Sequence, residues 1–558
     1  MSMAAIQNLM RLWLKFSEGN RFDDATWDPR AAQERKLLEI VRRNRDTAYG
    51  QDHGFARVGS VADFQAQVPA NTYETLEPYL HRTLKGERNV LTADAPLMYA
   101  MTSGTTGRAK YIPVTPSYLH EYGHGVHVHT YRILTDYKDV LEGKLLVPSS
   151  SDVEGHTEDG LSYGAISGYL TRTQPKAIRR FYALPYELTA VKQVDAKYYL
   201  TLRYALACDI RLMVAPNPSS LILLADRMRT LADALIDDIR HGTVSPDHVP
   251  EDTRAALGDG LEPDPRRADA LAAVVRSSGS LTPVEAWPNL QLLSCWKGGN
   301  MPLYLRKLPA HFGDVPVRDL GYMASEGRGA TPLVNSGSGG VLNVTSHFFE
   351  FVREADRDSA DPEFLTAEQL DADGEYFIYF TTSSGLYRYD INDVIRVVDF
   401  YRRTPVIQFV RKGQGISSIT GEKLTESQVT GALLTVVEAH AYDVQHFTAC
   451  VEWDEPPYYA FYAELEDSMT PERSRRFLRE MDRALSAANA EYEAKRESQR
   501  LGAPVLKCVA SGTYEELRRR RVAEGAADAQ VKIPQLSTNM EFGEGLTVRE
   551  RIEMDHAG

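Results

Sequence analysis

The chain has 558 residues, 43% of them apolar and 25% charged, too many for a single hydrophobic core and balanced as in globular, multi-domain proteins. Its formal charge of −14 argues against nucleic acid as a partner, because nucleic-acid binders are basic. An anionic substrate would need local donors and a cation. The four cysteines (Cys208, Cys295, Cys450 and Cys508) are widely spaced, so no cysteine-built zinc site is expected and a reducing cytoplasm is the simplest setting.

Taken in order, the first 16 residues alternate apolar groups with Gln7, Asn8, Arg11 and Lys15, which reads as an amphipathic helix and not a signal sequence. No uninterrupted apolar run of about 18 residues follows, so no membrane span is expected. Residues 29–48 carry Leu37, Leu38, Ile40 and Val41 on a helical period behind Asp28-Pro29, a cap and first turn. Two strand-like runs, 97–101 and 111–114, flank Thr102-Ser-Gly-Thr-Thr-Gly-Arg-Ala-Lys110. That stretch predicts a hairpin whose glycines let successive N–H groups converge on an anion and whose hydroxyls add donors. The spacing is not that of a Walker A loop.

Thr115-Pro116 starts a helix running to about Tyr137 that carries His120, His124, His127 and His129. No acidic or cysteine partner stands at ligand spacing, so no metal centre is expected there. A strand at 145–147, helices at 197–207 and 218–241 and a strand at 212–215 argue an α/β core. Residues 247–266, rich in proline and charge, read as an exposed loop. From about residue 408 the pattern changes to strands at 444–451 and 458–463, a helix from Thr470-Pro471 to about 498, and a strand at 504–509. This is a small α+β domain.

Four further segments share the chemistry of the first. Trp287 to Met301 ends a strand in Lys297-Gly298-Gly299, where backbone can lie against a planar ring. Val315 to Gly327 delivers Tyr322, Ala324, Ser325 and Glu326 onto one loop; a carboxylate beside a phosphate site calls for a divalent cation, so Glu326 reads as a magnesium ligand. Gly385 to Val394 ends a strand with Asp390 and Asp393, and such an aspartate can accept ribose hydroxyls. Phe409 to Lys423 is a charged, glycine-rich connector suited to a hinge.

In this order the segments resemble the adenylate-forming superfamily. More closely, the chain is similar to the auxin-responsive acyl-acid amido synthetases of plants and bacteria. The matching pieces are Thr102–Gly107 with Lys110-Tyr-Ile-Pro113, Ala324-Ser-Glu-Gly327, Gly385-Leu-Tyr-Arg-Tyr389 with Asp393-Val394, and Gln530-Val-Lys-Ile-Pro534. The resemblance implies an α/β protein with a large adenylate-forming domain, residues 1–410, and a small mobile α+β domain, 411–558, hinged at Arg411/Lys412. It implies ATP and Mg2+ as cofactors. A carboxylic acid would be activated as acyl-AMP with loss of pyrophosphate, and its acyl group passed to an amine, in this family an amino acid.

By the same resemblance, Ser103, Gly104, Thr105 and Thr106 would hold the phosphates and Gly298, Gly299, Tyr322 and Ala324 the adenine. Ser325 and Glu326 would meet the α-phosphate and magnesium, Asp393 the ribose, and Lys532 would reach in during adenylation, with Arg411 at the pivot. His129 and Arg132 are the candidates for the acid. The chain departs from the superfamily at Met323, where a glycine is usual, and at Asp390-Ile-Asn-Asp393, where relatives have Arg-Val-Gly-Asp. A cytoplasmic monomer acting on small molecules, with neither nucleic acid nor membrane as partner, is expected. A thiol acceptor and a non-catalytic nucleotide-binding protein are the alternatives.

Overall fold

The computed structural model describes residues 3–554, except 104–108, 258–260, 299–300, 358, 360, 414, 418–419, 421, 423, 466–468, 498, 500, 524–530 and 538. The chain divides into two units, Met1–Phe409 and Val410–Gly558.

In the first unit, helix α1 (Pro29–Asn44) starts where Asp28 accepts the Ala31 N–H at 3.1 Å. Its inner face buries Leu37, Ile40 and Val41 in one core with Phe348, Phe349 and Phe351, and also buries the polar Gln33 and Lys36. The expected hairpin is present: β1 (Met98–Ser103) pairs antiparallel with β2 (Ala109–Val114), in register from Met98–Val114 to Ser103–Ala109. Helix α2 (Pro116–Asp136) follows, capped by Thr115. Tyr118, Glu121, Tyr122, Gly125 and His129 are among the residues of its buried face, which recur about every three to four positions.

Two histidines of α2 face a carboxylate. His124 Nδ1 lies 2.8 Å and His127 Nδ1 3.8 Å from the carboxylate of Glu18. Burial of Glu18 opposes its ionisation, but the neighbouring His124 and His127 hold its pKa down at about 2. Among the described residues no group of three or more metal-ligating side chains occurs.

Two sheets position the site. One is parallel, in the order 144–146, 210–214, β3 (Leu292–Ser294), β4 (Val317–Arg318). Helices alternate with its strands, so loops at the carboxyl ends of β3 and β4 form one rim, the place where open α/β sheets bind ligands. The other has six strands: β5 (Phe348–Arg353), β6 (Glu375–Thr381), β7 (Tyr389–Tyr401), β8 (Thr404–Lys412), then 340–342 and 330–331.

Three expectations need correction. Residues 247–266 are not a plain loop, since Glu251–Leu257 is helical and Asp264 caps a helix at Pro265–Ser278. Asp390 and Asp393 stand at the start of a strand and not at its end, because a turn at Thr382–Gly385 reverses the chain before β7. The helix from Pro471 stops at Ala488, where the extended Asn489 accepts the Tyr492 N–H and begins a second helix.

The Gly385–Tyr389 segment is mostly architecture. Tyr387 donates to the Leu91 carbonyl (2.6 Å), and Arg388 bonds Glu350 (3.0 Å) and the Val68 carbonyl (2.6 Å). Gly385 has φ +90°, and a Cβ there would lie 2.7 Å from Leu91 Cβ. A Gly385→Ala variant is therefore expected to destabilise this unit by about 3 kcal/mol, strain and overpacking together, read as a lowered urea midpoint.

The second unit is a five-stranded sheet ordered 536–537, 444–452, 458–465, 505–509, 548–552, with α3 (Glu426–His440) and Pro471–Ala488 among its helices. No helix among the described residues is long and apolar enough to cross a membrane.

Candidate active site

The chain beyond β4 folds into a tight hairpin. Gly329 N–H donates to the Tyr322 carbonyl (2.8 Å), Met323 bridges Arg328, and Ala324 N–H donates to the Gly327 carbonyl (2.8 Å). Ser325 and Glu326 are thus fixed at the tip. Gly327 is required by close approach, because a Cβ there would meet the Phe380 ring at 2.9 Å. Tyr118 of α2 donates to the Ser325 carbonyl at 2.7 Å.

Tyr322, at the hairpin's root, is buried and stacks on Phe409 with ring planes 12° apart. Its hydroxyl donates to Asp393 Oδ2 at 2.7 Å. Asp393 is aimed by a bulge in β7: Tyr379 faces Asp390 and Phe377 faces Val394, and Asn392 takes the left-handed φ of 57° that the extra residues need. Asparagine tolerates that conformation, which explains why it can stand where the superfamily has glycine. The second aspartate is neutralised locally, since Asp390 pairs with Arg357 and accepts the Asn392 N–H (2.7 Å).

From the parallel sheet, Lys297 and Gly321 N–H groups donate to Asp319 at 2.7 and 2.6 Å, tying the ends of β3 and β4 together. Burial lifts the Asp319 carboxyl to about 6 despite those bonds. The next residue, Gly298, is close enough to Phe409 that a Cβ would sit 3.4 Å from its carbonyl. Tyr322 therefore links Asp393 to Phe409, which Gly298 also approaches, with Ala324, Ser325 and Glu326 on the adjoining hairpin.

The electrostatics follow from this packing. Burial first pushes all three phenols well above the usual range, followed by Tyr122 and then the Glu326 carboxylate for Tyr118, by Glu326 for Tyr389, and by Asp393 for Tyr322. All three remain hydrogen-bond donors at any working pH. Glu326 is itself 8% exposed, a hard oxygen donor on a fixed turn, the type magnesium takes.

The other candidates are distributed as follows. Ser103 closes β1; Gly104, Thr105, Thr106 and Gly299 lie outside the described residues. His129 is buried, its pKa pushed down to about 3 by burial and then by Arg328 and Arg318, so its ring is neutral. Arg132 bonds Asp23 at 3.0 Å. Arg411, on β8, and the exposed Lys532 belong to the second unit. Sequence reasoning missed Tyr118, Glu121, His347, Arg357 and Phe409. A carboxylate on the buried face of α2 and a histidine opening a strand of phenylalanines were the available signals.

The fold is shared with ligases of known structure. The chain matches a 2-hydroxyisobutyryl-CoA ligase in the postadenylation state with TM-score 0.54 and 12% identity, over 91% of this chain and 88% of that one. The match to the GH3.15 acyl acid amido synthetase has TM-score 0.83 at 22% identity, over 95% and 96%. The chain belongs to the GH3 family: the GH3 family N-terminal domain matches residues 18–317, the central domain 340–412 and the C-terminal domain 427–541. Similar relatives include a probable indole-3-acetic acid-amido synthetase of Oryza sativa subsp. japonica, 27% identical over 92% of both chains. Another is the jasmonoyl–L-amino acid synthetase JAR4 of Nicotiana attenuata, 26% identical over 92% of both.

Proposed function

We propose that this chain is an ATP-dependent acyl-acid amido synthetase. It activates a carboxylic acid as acyl-AMP, releasing pyrophosphate, and then passes the acyl group to an amine of the amino-acid class, releasing AMP. The observation that carries the reading is the linking of Asp393 through Tyr322 to Phe409, which Gly298 also approaches, beside the Ser325–Glu326 turn. It occurs in a chain similar over nine tenths of its length to amido synthetases.

In this reading the β1–β2 connection, Ser103 to Thr106, cradles the phosphates, and Gly298, Gly299, Tyr322 and Ala324 frame the adenine. Asp393, held by Tyr322, takes the ribose hydroxyls. Ser325 and Glu326 stand at the α-phosphate, and Glu326 would hold Mg2+, which supplies positive charge against the phosphate oxygens. Little covalent work falls to the protein, so rate comes from positioning and charge. For the acid, His129 beside Arg328 is the stronger candidate; Arg132, already paired with Asp23, is the weaker. Lys532 serves the first half-reaction, and a pivot at Arg411/Lys412 withdraws it before the second.

The test is acid-dependent exchange of labelled pyrophosphate into ATP, run with benzoate, phenylacetate, indole-3-acetate and a jasmonate. Next, the rate of AMP release is compared with an amino-acid mixture and with CoA. Exchange with at least one acid and faster AMP release with amino acids are expected. Acceleration by CoA alone would move the chain to the thiol ligases, and no exchange with any acid would end the reading.

A further inference from the structure

A polar network with no assigned role lies behind the Ser325–Glu326 turn. His347 is fully buried, and its Nε2 faces the Arg328 N–H at 3.2 Å while Nδ1 lies 3.3 Å from Glu121 Oε2. A ring nitrogen that accepts from a backbone N–H carries no proton, so the imidazole proton is on Nδ1, directed at Glu121. Glu121 is fixed in turn: Ser383 donates to it through Oγ at 2.6 Å and N–H at 3.1 Å, and the buried Lys36 ammonium lies at 3.6 Å. The backbone of His347 is anchored separately, its carbonyl accepting from Gln33 Nε2 at 2.7 Å. Tyr118 then lies parallel to the His347 ring (17° between planes) and reaches past it to the Ser325 carbonyl.

The hairpin is thus gripped at two backbone points on either side of Glu326: the Ser325 carbonyl by Tyr118 and the Arg328 N–H by His347. Both gripping residues belong to elements of the rigid core, α2 and the entry to β5. A buried carboxylate–imidazole–ammonium set costs desolvation that an apolar core would avoid. It orients the imidazole so that an acceptor, not a donor, faces the hairpin.

We propose that Tyr118 and His347, the latter oriented by Glu121, are positioning residues that fix Glu326 for metal binding and adenylation. This rests on the reading of Glu326 as the magnesium-holding carboxylate of an adenylating enzyme. All three are buried and act through the turn.

The experiment uses the full chain and whichever acid of the four gives the fastest exchange. Tyr118→Phe keeps the ring and removes one donor; the exchange kcat should fall about fivefold, the loss of one hydrogen bond. KM for ATP should stay within about twofold, and the magnesium concentration for half-maximal exchange should rise. His347→Gln can still offer an acceptor to the Arg328 N–H, whereas His347→Leu cannot. The glutamine variant should therefore keep most of the activity and the leucine variant lose about thirtyfold, with the same rise in magnesium demand. Loss of folded protein alone lowers the active fraction without moving the magnesium midpoint. Unchanged magnesium midpoints in all three variants, or equal losses for His347→Gln and His347→Leu, would overturn the positioning role while leaving the activity intact. A parent chain that exchanges no pyrophosphate would overturn the underlying activity and this role with it.

Discussion

Replacing Lys532 with alanine is expected to slow acid-dependent pyrophosphate release about a hundredfold or more, with ATP binding retained within a few-fold. The magnitude is that of withdrawing one preorganised donor from charge developing in a transition state, about 3–4 kcal/mol. The second unit presents this side chain in a way that suits the role. Lys532 is exposed, yet the backbone at and just after it is anchored. Its carbonyl accepts from Arg521 at 3.2 Å, the Pro534 carbonyl accepts from Thr448 at 2.8 Å, and Gln535 N–H donates to Glu426 at 2.5 Å. Burial raises the Glu426 pKa, and Lys532 is among the groups that partly offset this. A long flexible ammonium on an anchored loop can be delivered to a site and withdrawn as one piece. Because the role is confined to the first half-reaction, Lys532→Ala supplied with preformed acyl-adenylate and amine should form amide at close to the parental rate. Equal impairment of both half-reactions, or none of either, would refute the assignment.

How far such a site is legible in sequence depends on whether a residue acts through its type or through its surroundings. Gly298, Tyr322 and Glu326 could be picked out as candidates because glycine at a strand end and a hydroxyl and carboxylate on one loop are local patterns. So could the caps of α1 and α2, where Asp28-Pro29 and Thr115-Pro116 fix the first turn whatever follows. Phe409 was not legible, since nothing near it in sequence announces that its ring will meet Tyr322, 87 positions earlier, and its carbonyl Gly298. His347 and Glu121 are separated by 226 residues, and only the packing of α2 on the large sheet makes them a pair. The placing of Asp390 and Asp393 at a strand end failed for a similar reason: the turn at Thr382–Gly385 depends on Gly385 fitting against Leu91, a contact across the fold. The Asp390 charge, alarming in the sequence, is answered by Arg357 from another connection.

Glu326→Gln is the second change expected to act strongly, and its signature is in the metal, not in the fold. Glutamine has nearly the volume of glutamate, so the hairpin tip, fixed by backbone bonds between Ala324 and Gly327 and by Tyr118, should survive the change. What is lost is a full negative charge on a hard oxygen, replaced by a neutral amide oxygen that magnesium binds far less well. The magnesium concentration for half-maximal exchange should rise by about tenfold or more, and kcat should remain depressed at saturating metal, because charge on the phosphates would be neutralised less completely. Three buried phenols stand near that carboxylate, and burial, with carboxylates including Glu326, pushes each above its usual range. Removing the carboxylate should therefore lower the Tyr118, Tyr322 and Tyr389 pKa values, while thermal stability stays equal or rises slightly, because burying a neutral amide costs less than burying a charged group. An unchanged magnesium requirement would exclude Glu326 as the ligand. A shift in magnesium demand shared with Tyr118→Phe, larger in Glu326→Gln, would place both residues in one device, the carboxylate binding and the phenol holding it in place.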